Sequence, residues 1–145
     1  TPTTVATLTN NAIMASDYII VPASPASYSV DGLVQLNESN RAIQMHGVAD
    51  KHLKILGILL TRYRKGTRLA NDMAGIIKAV AIQIGTRTFD RMIRENMAIK
   101  EAQAAKTSIF EYNIRSNGAL DYRCFINEFL DLIKEDNPEF TKLEK

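Results

Sequence analysis

The spacing of hydrophobic positions changes several times along the chain, and each change marks an element. From Thr3 to Ala15 the apolar positions Val5, Leu8, Ala12 and Ala15 fall at helical spacing, with threonines at the start available as caps. The run DYIIVPAS, residues 17–24, is short and β-branched; it predicts a buried strand stopped by Pro22 and Pro25. Residues 29 to about 47 carry Val30, Leu33, Val34, Ile43 and Met45 and predict a helix, weakened where polar residues gather at LNESN. In HLKILGILLT, residues 52–61, six of ten residues are Leu or Ile, the near-continuous pattern of a strand covered on both faces. Leu69, Met73, Ile76, Ile77, Val80 and Ile84 then trace one helical face, and Gly85 follows as a stop. RTFDRMI, residues 87–93, alternates as a third strand, and the Ala-rich stretch 96–106 reads as a helix. SIFE, residues 108–111, has the Ser-x-x-Glu spacing of a capping box. Tyr122, Phe125, Ile126, Phe129, Leu130 and Ile133 build an amphipathic closing helix, ahead of a polar tail, KEDNPEFTKLEK, expected to fray.

Helices and strands in alternation predict an α/β fold: a parallel sheet with right-handed crossovers and helices on both faces. Residues 1–135 form the domain and 136–145 the polar tail. Ligands of such sheets sit beyond the carboxyl ends of the strands, which makes residues 22–24, 61–68 and 93–96 the candidate site loops.

Composition narrows the function classes. At 145 residues, with 46% hydrophobic and 23% charged positions, the chain is one ordinary globular domain. Its apolar runs are too short to span a bilayer, and the single cysteine, Cys124, forms no internal disulfide, so a soluble protein of the reducing cytoplasm is expected. A net charge of +2 is too small to imply nucleic acid, so the clustering of charge matters more. Arg62, Arg64, Lys65 and Arg68 place four cations in seven residues, with Tyr63 among them. Two readings stand side by side: a solvated surface turn, or contacts to the phosphates of DNA or of a nucleotide.

Other chemistry is missing. A phosphate-cradling loop needs glycines and a Lys-Ser/Thr pair at a helix start; no Gly-Lys dipeptide occurs, and Lys65-Gly66-Thr67 has the order reversed. His46 and His52 lie six apart, off the i, i+4 spacing of a helical metal pair, so no metal site is expected. Cys124, within the apolar closing helix, reads as a buried structural thiol.

Three stretches in register resemble the ParA/Soj family of partition ATPases, the deviant Walker P-loop proteins related to MinD. PTTVATLTNNAIMASDYIIVPASPASYSVDGLVQL resembles the family's segment from switch II through a helix and strand to its proline and Gly-Leu. GILLTRYRKGTRLAND resembles its Gly-Ile-Leu-x-Thr strand and following loop, and ENMAIKEAQAAKTSIFEYNIRSNGALDYRCFINEFL resembles its Glu-Ala segment and Ser-x-Gly-Ala-x-x-Tyr entry to the closing helix. The resemblance implies the C-terminal part of a P-loop NTPase fold of the deviant Walker type, without the Walker A region. It implies that the complete protein binds and hydrolyses ATP with magnesium, dimerises and holds DNA without sequence preference. It implies a role in plasmid or chromosome partition with a ParB-like DNA-binding partner, and no membrane. The chain alone is expected not to hydrolyse ATP.

Site residues follow from the same resemblance. Pro22, Thr61, Arg62, Ile93 and Arg94 match the strand-end segments on the adenine side of the nucleotide, with Arg94 standing where the family usually has proline. Pro22 also reads as a simple strand terminator. Arg64, Lys65, Arg68 and Lys106 lie in stretches matching the family's DNA face. The family's loop arginine corresponds to Gly66, and Glu95 and Ala98 fall where basic residues are common, leaving Lys100 as a partial substitute. The alternatives are a non-enzymatic DNA-binding or interaction module, and a MinD-like positioning ATPase, whose basic amphipathic C-terminal helix the acidic tail does not match.

Overall fold

The computed structural model describes residues 3–25, 30–45 and 53–144. In chain order the elements are α1 (Thr3–Ala15), β1 (Tyr18–Ala23), α2 (Val30–Met45), β2 (Lys54–Leu60), α3 (Arg68–Gln83), α4 (Met97–Ala104), α5 (Ile109–Tyr112) and α6 (Asn117–Asp136). A 3-10 helix, Pro138–Glu144, occupies the expected polar tail. β2 is the most enclosed element, buried continuously from Leu56 to Leu60. It pairs in parallel with β1, Tyr18 opposite Lys54 and Ala23 opposite Leu60, and α2 is the crossover that a parallel pair requires.

Helices cover both faces of this pair. On one face Val21, Ala23, Ile58 and Leu60 meet Leu33 of α2 and Ala70, Ala74, Ile77 and Ala81 of α3. On the other, Tyr18, Ile20, Leu56 and Leu59 meet Phe89, Ile93 and the α6 residues Phe125, Phe129 and Ile133. Ile19 pairs with Ile55 but Ile20 with Gly57, so Leu56 is the extra residue of a bulge. The bulge breaks the two-residue alternation and lets Leu56 and Leu59 share a face. Gly57 is required by the same packing: a Cβ there would lie 2.8 Å from Cε2 of Phe89, whose ring meets Phe125 edge-on at 4.9 Å.

The third strand does not form. Residues 87–95 do run parallel beside β2: Ile58 N–H donates to Arg87 O (2.8 Å), Phe89 N–H to Ile58 O (2.9 Å) and Ile93 N–H to Leu60 O (2.8 Å). Between these bonds, however, the N–H groups of Asp90 and Arg91 donate to the two carboxylate oxygens of Glu128 on α6, at 2.6 and 3.0 Å. The Arg91 N–H that the next rung would need is thus taken by a side chain, and two isolated bridges, Ile58 with Thr88 and Tyr63 with Arg94, are what remains.

Other expectations shift in detail. β1 runs through Pro22, which pairs opposite Leu59, so the proline does not stop the strand; β1 has one neighbour among the described residues, and a sheet edge tolerates a missing N–H. α2 continues unbroken through LNESN. α3 is rotated from the expected face, leaving Leu69 67% and Ile76 47% exposed, because three alanines with Ile77 let the helix lie close against the sheet. Cys124 is half-buried, not enclosed: α6 turns Asp121 and Phe125 inward, and Cys124 sits beside that stripe. Ile126 and Leu130 are likewise 40% and 41% exposed. The expected helix start at residue 29, its end near Gly47, and the pair His46 and His52 lie outside the described residues.

Candidate functional site

The three loops expected to share a crevice meet at the carboxyl end of β2. Thr61 N–H donates to Ala23 O (2.9 Å), Tyr63 N–H to Ile93 O (3.1 Å) and Glu95 N–H to Tyr63 O (3.0 Å). Arg62 takes a left-handed backbone, φ 52°, which turns the chain out of β2. Gly66, at φ 90°, makes the next turn, and Thr67 caps α3 by accepting Ala70 N–H at 3.3 Å. The reversed Lys65-Gly66-Thr67 order therefore serves a turn and a helix cap.

Thr61, Arg62, Ile93 and Arg94 line one cleft of about 270 Å³, with Tyr122, Ile99 and Lys100 on its other walls. Pro22, exposed on β1, is not among its lining residues. Ile99 and Tyr122 supply apolar surface, while Arg62, Arg94 and Lys100 bring positive charge and Glu95, paired with Lys100, negative charge. Among the described residues no group of His, Cys, Asp and Glu is arranged to hold a metal ion.

Arg94 is fixed by a residue that no motif in the sequence singles out. Asp121 on α6 is fully buried and accepts hydrogen bonds from Arg94 N (3.0 Å), Nε (2.9 Å) and Nη2 (2.9 Å), and from Arg91 Nε (3.1 Å) and Nη2 (2.6 Å). Burial pushes the Asp121 carboxyl upward, but the hydrogen bonds from Arg94 and Arg91 outweigh it and hold the group below the usual carboxylate range. A neighbouring cleft of about 480 Å³ opens on this cluster, with Lys65 and Tyr63 on its rim. The signal in the sequence is an aspartate four residues before Phe125 on the inward stripe of α6, with arginines three apart at 91 and 94.

The expected cationic residues are all exposed, and two of them converge. Arg64 from the loop and Lys100 from α4 both pair with Glu95, Lys100 at 3.4 Å. Those hydrogen bonds, from Arg64 first and then Lys100, lower the Glu95 carboxyl below its ordinary value. Arg68 has only a long contact to Asp72, 4.0 Å, and is 97% exposed. Lys106 ends α4 in a left-handed conformation, φ 52°, its N–H donating to Gln103 O and Thr107 N–H to Ala102 O. That is the terminating pattern in which glycine is usual. Gly85 ends α3 the same way, with Gly85 N–H on Ile82 O and Thr86 N–H on Ala81 O.

No family model matches the chain. Curated proteins do. The sporulation initiation inhibitor protein Soj of Bacillus subtilis is 33% identical over 134 residues, 92% of this chain and 48% of that protein. The chromosome partitioning protein ParA of Caulobacter vibrioides is 27% identical over 121 residues, 83% of this chain and 43% of its own length. The chromosome-partitioning ATPase Soj of Thermus thermophilus is 27% identical over 134 residues, 92% of this chain and 52% of its own length. Among the described residues no helix is long and apolar enough to cross a membrane. The chain is thus a sequence relative of the Soj and ParA chromosome-partitioning proteins over most of its length, and it spans about half of theirs.

Proposed function

We propose that this chain is the C-terminal part of a ParA-type ATPase with a deviant Walker P-loop fold. In complete form the protein binds and hydrolyses ATP with magnesium, dimerises, holds DNA without sequence preference and acts in plasmid or chromosome partition with a ParB-like partner. The observation that carries this reading is the likeness to named partition proteins across 83–95% of the chain. The convergence of Thr61, Arg62, Ile93 and Arg94 on one cleft supports it further. In this reading the cleft takes the adenine side of the nucleotide: Ile99 and Tyr122 face the base, and Thr61, Arg62 and Lys100 supply polar partners. Bound ATP supplies the phosphoryl chemistry, whose phosphate and magnesium contacts need groups outside the described cleft.

Arg64, Lys65 and Arg68, with Lys100 and Lys106, form the DNA face. Equilibrium binding of the complete protein to unrelated duplexes at several salt concentrations tests this. Replacing Arg64, Lys65 and Arg68 together by alanine should weaken binding to every duplex about equally, because phosphate contacts carry no base information. The slope of log affinity against log salt should fall by roughly 0.9 for each phosphate no longer neutralised. An unchanged affinity and slope would mean that the loop is a solvated turn.

A further inference from the structure

Glu95 occupies a position on this surface that a simple cationic face does not explain. Its backbone is tied to the end of β2 through Tyr63 O, and its side chain is only 21% exposed. The carboxylate lies between Arg64, 72% exposed on the loop after β2, and Lys100, 54% exposed on α4. It therefore joins cations from two separate segments, taking Nε of Arg64 and one ammonium donor of Lys100 and drawing both groups toward its own charge.

From this geometry we propose that Glu95 is an affinity-setting residue: an internal competitor that draws Arg64 and Lys100 toward itself and against which nucleic-acid phosphates must compete. The inference rests on the DNA-face reading above. A carboxylate and a phosphate diester present the same kind of acceptor to a guanidinium or an ammonium group, so the two compete for the same cations. The loop cations stay collected near α4 when no DNA is present, and the net gain from each phosphate is smaller than it is for a free cation. Glu95 thereby keeps DNA binding weak and readily reversible while leaving Arg68, Lys65 and Lys106 as the first points of encounter.

The test is Glu95→Gln in the complete protein, compared with wild type for duplex binding across a salt series. Asp131→Asn, on the solvent side of α6, serves as a control of equal charge change. Releasing two cations should raise duplex affinity several-fold at low salt, on the order of ten-fold, and steepen the salt slope by up to about 1.8, two phosphates at roughly 0.9 each. Asp131→Asn should give a smaller gain with no change of slope. Adding Arg64→Ala and Lys100→Ala to Glu95→Gln should remove the gain. Equal gains from Glu95→Gln and Asp131→Asn would overturn the proposal, leaving only a net-charge effect. A loss of binding on replacing Arg64, Lys65 and Arg68 by alanine, without any gain in Glu95→Gln, would overturn the competitor role while the DNA face stands. If wild type binds no duplex at all, the face and the competitor fall together.

Discussion

Replacing Asp121 by asparagine should destabilise the fold by about 2–3 kcal/mol. The carboxylate is fully buried and accepts five hydrogen bonds, three from Arg94 and two from Arg91. An asparagine keeps one acceptor oxygen but turns two N–H donors toward two guanidinium groups, removing the charge that compensates them. Breaking a fully buried ion pair from one side costs about 3–5 kcal/mol. Here Arg91 and Arg94 are 35% and 34% exposed, so water can take over part of their solvation and the lower figure follows. For a chain of this length that is a melting temperature lower by about 5–10 °C. Urea unfolding followed by circular dichroism, with wild type and variant at equal slope, measures the difference directly. The sign of the pH dependence gives a second check. Because the folded Asp121 carboxyl lies below the usual value, its contribution is fully present above the unfolded value of about 4 and is lost as pH falls through the folded one. Wild type should therefore lose this part of its stability in acid, and Asp121→Asn should not. A variant within about 0.5 kcal/mol of wild type at neutral pH, or one with the same acid sensitivity, would refute the account of the cluster.

Two further substitutions separate packing from binding. Gly118→Ala places a Cβ 2.6 Å from Cγ1 of Ile99, so α4 or the Ile99 side chain must move, and urea midpoints should show a loss of about 1–3 kcal/mol. Lys106→Gly removes a cation but relieves a left-handed backbone: the unfolding free energy should hold or rise by up to about 1 kcal/mol while duplex affinity falls, and a variant destabilised in proportion to its weaker binding would show that Lys106 acts only through the fold.

Local spacing accounts for the features that are legible in the sequence. The span of α1 from Thr3 to Ala15, the cap at Ser108 and the stop at Gly85 all follow from residues within a few positions of one another. Expectation and structure part where a distant residue decides. Strand-like alternation over 87–93 is real, but Glu128, 37 positions beyond Arg91, takes the Arg91 N–H that would continue the ladder. The buried face of α3 differs from the expected one because alanines at 70, 74 and 81 bring the helix close to the sheet, whereas the larger Leu69 and Ile76 suggest a face they do not form.

The same long-range compensation acts at two of the places, Arg94 and Glu95, where this chain departs from the pattern it resembles. Position by position, Arg94 in place of proline and Glu95 in place of a basic residue each read as a loss: a changed base pocket and a weakened DNA face. In three dimensions neither stands alone. Arg94 meets Asp121, 27 positions on, which fixes both its backbone N–H and its guanidinium, restoring by hydrogen bonds some of the rigidity a proline ring would give. Glu95 meets Arg64, 31 positions earlier, and Lys100, so the negative charge is matched as it is introduced. Adjacent residues thus take different partners, Arg94 a fully buried acid and Glu95 two exposed bases. The cleft beside β2 and the cationic surface next to it are joined through this dipeptide. Glu95→Gln should therefore alter the cleft as well as the cationic surface, since Glu95 lines the one and pairs across the other.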